Sequence, residues 1–99
     1  MRKLMLGNEA IAEGIYESGC KIVSSYPGTP STEITEYAAK YDEVYTEWAP
    51  NEKVSMEVAF GASLAGKRSF CAMKHVGLNV AADPLFTISY IGVNAGMVI

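Results

Sequence analysis

Ninety-nine residues, 49% hydrophobic and 19% charged, suffice for one domain around one core and exclude both a pair of layered domains and a disordered chain. A formal net charge of −3 provides no basic footprint for a phosphate backbone or an anionic membrane, so no nucleic acid is expected as a partner. No apolar run reaches the ~18 residues of a membrane span, because Asp83 and Pro84 interrupt the C-terminal apolar stretch.

The start, Met1 to Gly7, is too short in apolar residues for a signal-peptide core, and a cytoplasmic setting is expected. Asn8 to Ser18 then predicts a helix with Ile11 and Ile15 on one face and Gly19 as its stop. Lys21 to Tyr26 predicts a buried strand closed by Pro27-Gly28. In the next helix, capped by Ser31 or Thr29, the residues Ile34, Ala38 and Tyr41 form an apolar stripe. Val44 to Trp48 predicts a strand. Pro50-Asn51 opens a third helix with Val54, Val58, Ala62 and Ala65 on one face, ending at Gly66. The small residues of its second half, from Ala59 to Gly66, invite the close approach of a backbone or ligand. Ser69 to Met73 predicts a strand, Lys74 to Asn79 a loop, Asp83 to Tyr90 a short helix with Pro84 in its first turn, and Ala95 to Ile99 another strand. Alternation of this kind implies an α/β fold, with a mostly parallel sheet and helices on both faces. The chain stops within an apolar strand and is expected to be the truncated N-terminal part of a longer protein.

Ligands of open α/β sheets bind beyond the carboxyl ends of the strands. Three loops lie there: Tyr26 to Ser31, Ala49 to Glu52, and Lys74 to Asn79. In the first, a helix N-terminus favours an anion such as a substrate carboxylate, with Thr29 the best polar contact. A rigid turn with a simple cap is the plainer alternative. In the second, Glu52 occupies a helix start, which is ordinary dipole chemistry; the same Asn-Glu pair recurs at Asn8-Glu9. In the third stands His75, the sole histidine. No second ligand accompanies it at metal-binding spacing, and no metal is expected on this chain. Cys20 and Cys71 are the only cysteines; they are too far apart for a CxxC pair and too few for an iron–sulfur cluster. Neither a Gly-x-Gly-x-x-Gly fingerprint nor a P-loop is present.

Taken together, Leu6 to Ala12, Tyr26 to Ile34, Glu47 to Lys53 and Met73 to Leu85 resemble the pyrimidine-binding domain of thiamine-diphosphate enzymes. The likeness is greatest to the N-terminus of the large (alpha) subunit in 2-oxoacid:ferredoxin oxidoreductases of the indolepyruvate type, and residues 1–99 would form the opening part of that domain. The resemblance implies a thiamine-diphosphate-binding fold and oxidative decarboxylation of an indolepyruvate or arylpyruvate to an acyl-CoA, with reduction of ferredoxin. Glu52 matches the glutamate that hydrogen-bonds N1′ of the aminopyrimidine. Thr29 looks like the residue holding the substrate carboxylate. Gly77, Leu78 and Asn79 look like a wall beside the cofactor, and His75 like a residue for proton transfer or substrate polarisation. By the same resemblance, the full enzyme needs thiamine diphosphate with magnesium, 4Fe–4S clusters, the rest of the alpha subunit, a beta subunit, ferredoxin and coenzyme A. The fragment alone would hold the aminopyrimidine side at most and be inactive. Two other readings stay open: a subunit of a non-redox thiamine-dependent 2-oxoacid decarboxylase, and a non-catalytic α/β ligand-binding module with Glu52 facing solvent.

Overall fold

Short apolar runs punctuated by Gly and Pro fold as four strands, and the longer periodic segments between them fold as helices. In the computed structural model, which describes residues 2–99, the order is α1 (Gly7–Glu17), β1 (Ile22–Ser25), α2 (Thr32–Ala38), β2 (Tyr45–Trp48), α3 (Glu52–Leu64), β3 (Ser69–Ala72), α4 (Gly77–Ile91) and β4 (Met97–Val98). The strands form one sheet in the order β2-β1-β3-β4. Every pairing is parallel, with Ile22 opposite both Tyr45 and Ser69, and Ser25 opposite Trp48 and Ala72. β4 joins at Met97 and Val98, against Ser69 and Phe70.

Right-handed crossovers in opposite directions place helices on opposite faces of such a sheet. On one face Ala12 and Ile15 of α1, Val23 of β1, and Ile34 and Ala38 of α2 form a core. On the other, Met56 and Ala59 of α3, Cys71 of β3 and Ala81 of α4 form a second. In α1 the inward pair is Ala12 and Ile15, while Ile11, expected on that face, is 45% exposed. Ile34 and Ala38 are buried as expected, with Tyr41 packed against the same core just beyond the helix.

The face of α3 differs from the periodicity-based expectation. Its buried residues are Glu52, Ser55, Met56, Ala59, Ala62 and Ser63, whereas Val54 and Val58 are half-buried and Ala65 is exposed. The hydroxyls of Ser55 and Ser63 make this possible because both find partners, and a hydrogen-bonded polar group carries little burial penalty. Ser55 Oγ pairs with Cys71 Sγ at 3.2 Å, and Ser63 Oγ donates to the Ala95 carbonyl at 2.6 Å. Ser69 Oγ donates to the Ala59 carbonyl at 2.8 Å. The small-residue half of α3 therefore receives the sheet, and Ala59 and Ala62 are core residues. Burial pushes the Cys71 thiol up to about 11 against the opposing effect of its Ser55 contact. The buried Cys20 thiol is raised as well, again chiefly by burial.

Gly61 lies on the outer side of α3, where a Cβ would meet nothing within 4 Å. With open space and a helical backbone, Gly61→Ala is expected to stabilise the domain by about 0.5–1 kcal/mol. That corresponds to a rise of several degrees in thermal midpoint for a domain of this size. Thermal denaturation of the two chains checks it; a lower midpoint for the alanine form would contradict the open-space reading.

The largest departure from expectation is α4. It begins at Gly77, six residues before the predicted start at Asp83, and Pro84 lies within it. Gly77, Leu78 and Asn79 thus form its first turn and not a loop. An internal proline removes one helical hydrogen bond and costs roughly 3 kcal/mol. Packing offsets this: Gly77, Ala81 and Pro84 are buried and Leu85 and Ile88 pack against the second core. Leu78, Val80, Phe86, Tyr90 and Ile91 of the same helix remain exposed. No helix among the described residues is long and apolar enough to cross a membrane.

Candidate functional site

The chain leaves β1 toward β2 on one side and reaches β3 on the other, so the carboxyl ends of β1 and β3 flank a topological switch point. The loop after β1 turns about Gly28. Its carbonyl accepts from Ser31 N at 2.9 Å and Thr32 N at 3.2 Å, and also from Ser31 Oγ at 3.0 Å. Its N–H donates to Thr32 Oγ1 at 2.7 Å. Ser31 does stand at the N-cap of α2, but its side chain makes no capping bond, because it is committed to Gly28. Thr29, the alternative cap, is exposed. The loop is also held from α1, where Asn8 Nδ2 donates to the Pro30 carbonyl at 2.7 Å. Asn8 has a positioning contact that its resemblance to Asn51 did not suggest.

The loop after β3 crosses this one. A Cβ on Gly28 would lie 2.9 Å from Cδ, 3.1 Å from Cβ and 3.2 Å from Cγ of Lys74. Gly28 is therefore required by space, since the lysine stem lies over it. Beside this crossing is a cleft of about 340 Å³, lined by Ser31, Ile34, Met73, Lys74, His75 and Leu78 among others. The structure thus brings His75 and Leu78 together with the β1 loop. Thr29 and Asn79 are exposed and do not line the cleft. A second cleft, about 330 Å³ between α1 and the β3–β4 edge, carries none of the candidate residues.

Glu52 enters from the third loop. Asn51 takes the N-cap of α3, its side chain accepting from Val54 N at 2.9 Å, which leaves the Glu52 carboxylate free of capping duty. Glu52 is only 5% exposed. A Cβ on Gly77 would lie 2.8 Å from Glu52 Cγ and 3.2 Å from its Cδ, with Met73 Cβ also at 3.2 Å. Glu52 and Gly77, two of the candidate site residues, are in contact. Among the described residues the recorded ion pair is Lys53–Asp83 at 2.8 Å, and Glu52 has none. Lys74 and Met73 adjoin the candidate residues without having been among them; the signals available were Gly28 for Lys74 and Gly77 for Met73, since a missing side chain implies a close neighbour.

A family model described as pyruvate flavodoxin/ferredoxin oxidoreductase, thiamine diphosphate-binding, matches residues 13–95. This chain belongs to that family. It is 52% identical to indolepyruvate oxidoreductase subunit IorA of Archaeoglobus fulgidus, over 96% of this chain and 16% of that protein. It is 50% identical to the IorA subunit of Pyrococcus horikoshii, over 97% of this chain and 15% of that one. Among solved structures, the 2-oxoglutarate:ferredoxin oxidoreductase from Magnetococcus marinus, determined with 2-oxoglutarate, coenzyme A and succinyl-CoA bound, matches with a TM-score of 0.73 and 35% identity. That match covers 77% of this chain and 14% of the other. The chain spans about one sixth of the length of these relatives.

Thiamine diphosphate, the cofactor in the family's description, fits the residues present on its aminopyrimidine side. A carboxylate serving a cofactor must be shielded from water, held in place, and left without a competing protein partner. Glu52 is buried, packed on Gly77 and, among the described residues, outside any ion pair.

Proposed function

We propose that residues 1–99 form the N-terminal, pyrimidine-side part of the large subunit of an indolepyruvate-type 2-oxoacid:ferredoxin oxidoreductase. Its reaction is oxidative decarboxylation of an arylpyruvate to an acyl-CoA, with two electrons passed to ferredoxin. The observation that supports this most directly is the buried Glu52 set against Gly77 at the carboxyl end of a parallel sheet. The non-catalytic module was expected to turn Glu52 to solvent, whereas its side chain is buried.

Bound thiamine diphosphate supplies the carbanion chemistry and the electron sink. Glu52 holds the proton at N1′ of the aminopyrimidine. Gly77 keeps that side chain in register by having no Cβ, and Leu78 and Asn79 in the first turn of α4 wall the site. Thr29 contacts the substrate carboxylate from the β1 loop, and His75 at the cleft moves a proton or polarises the substrate carbonyl. Magnesium, 4Fe–4S clusters and the sites for coenzyme A and ferredoxin belong to the remainder of the alpha subunit and the beta subunit, in a cytoplasmic complex. The exposed apolar residues of α4 suit a domain that packs into such an assembly.

The assay is anaerobic turnover by the full-length protein with its partner subunit, thiamine diphosphate, magnesium, coenzyme A and an arylpyruvate. Ferredoxin reduction with acyl-CoA formation is expected, faster with the arylpyruvate than with pyruvate or 2-oxoglutarate. Release of an aldehyde without ferredoxin reduction would favour the non-redox decarboxylase instead, and no turnover of any 2-oxoacid would overturn the reading.

A further inference from the structure

We infer that Asn8 is a positioning residue for the substrate: from α1 it fixes the tip of the loop after β1, and through that tip the direction of the Thr29 hydroxyl. The inference rests on the role proposed for Thr29 above. It gives a task to a residue of α1, outside the three loops at the carboxyl ends of the strands.

The loop is pinned at its base by the core. Ser25 Oγ and Thr35 Oγ1 lie 2.6 Å apart, both residues buried, and Gly28 closes the turn on Ser31 and Thr32. None of these bonds holds Thr29 or Pro30, which are exposed. Proline has no N–H, so its carbonyl is the polar group by which Pro30 can be held. Asn8 Nδ2 donates to that carbonyl at 2.7 Å and to Glu33 Oε2 at 3.3 Å. Both partners are acceptors, so the amide nitrogen must face them and a carboxylate cannot replace it. Asn8 has no capping duty either, since the N-cap of α1 is Leu6, whereas Asn51 in the same Asn-Glu pair caps its own helix. Thr29 thus sits between Gly28, fixed under the Lys74 stem, and Pro30, fixed by Asn8. Planar peptide bonds on either side then turn Thr29 whenever Pro30 shifts. The contact is made between residues of this domain and does not depend on what packs against it.

The test uses the full-length enzyme with Asn8→Asp, Asn8→Ala, Thr29→Val and the Asn8→Asp/Thr29→Val pair. The readouts are KM for an arylpyruvate and C2 proton exchange of the bound cofactor. Asn8→Asp keeps the shape but sets an acceptor against two acceptors, and KM is expected to rise about tenfold, as for a lost hydrogen bond that leaves its partners unpaired. Asn8→Ala removes the donor without adding a charge and should raise KM about threefold. C2 exchange should stay within about twofold of wild type, because Glu52 is held from another loop. On top of Thr29→Val, Asn8→Asp should add less than about twofold, since the hydroxyl it positions is gone. If the two factors multiply, or if Asn8→Asp leaves KM within about twofold of wild type while Thr29→Val raises it, Asn8 only secures the fold and the inference is wrong. Exchange slowed as much as KM is raised would also overturn it, since the damage would then reach the Glu52 side. An unchanged KM in Thr29→Val would instead remove Thr29 from the substrate site, so that the proposed role of that residue fails and this inference with it.

Discussion

In the full-length enzyme, Glu52→Gln is expected to slow C2 proton exchange of bound thiamine diphosphate by about 10²–10⁴-fold, the usual contribution of a positioned acid–base group. That loss corresponds to ~3–5 kcal/mol of barrier. The fold should survive, because the amide preserves shape and Glu52 has no ion pair to lose among the described residues. If Glu52 were only a helix-start carboxylate, the change would cost about 0.3–1 kcal/mol of stability and nothing in exchange. Glu9→Gln is the matched control, since Glu9 stands in the first turn of α1 after the same asparagine and has no assigned chemistry. Exchange rates and thermal midpoints of both variants check the prediction; equal exchange rates would reduce Glu52 to a structural residue.

Gly77→Ala should be nearly as damaging, through crowding and not through loss of a group. The new Cβ would lie 2.8 Å from Glu52 Cγ and 3.2 Å from Met73 Cβ. These are atoms near the backbone, not the free ends of flexible chains, so either the glutamate or the start of α4 must shift. Overpacking of this kind costs about 1–3 kcal/mol. A displacement of about 1 Å at a catalytic group can cost 10²-fold in rate. The expected outcome is a lower thermal midpoint together with exchange slowed by at least about 10²-fold. The sign is diagnostic, because alanine is the better helix former and would stabilise α4 by up to ~1 kcal/mol if space were available. A raised midpoint with normal exchange would show that Glu52 and Gly77 are not in contact.

Much of this architecture is legible in the sequence, and the failures share a cause. The strands were legible because Lys21 to Tyr26 and Ser69 to Met73 are short apolar runs with turn residues after them. The family resemblance was legible because three of its segments run on from the ends of β1, β2 and β3, and the fourth opens α1. By contrast, Gly77, Asn79 and Pro84 each disfavour a helix locally, and only burial of Gly77, Ala81 and Pro84 against the rest of the domain makes α4 fifteen residues long. Tertiary packing overrides propensity in this way. The face of α3 was misread because Ser55 and Ser63 count as polar in a periodic pattern, while in the fold their hydroxyls are paired. At the site, Glu52 and His75 stood out by residue type. Lys74 did not, because a lysine beside a loop is ordinary until the stem is seen lying over Gly28.

The central claim is that Glu52, braced by Gly77, meets the cofactor's aminopyrimidine. A structure of the full-length protein with thiamine diphosphate bound tests it most directly, by the distance from the Glu52 carboxylate to N1′. The account predicts a hydrogen bond of about 2.7–3.0 Å, with Gly77 still against the glutamate stem. A cofactor seated with N1′ on another group, or Glu52 turned away from the ring, would contradict it.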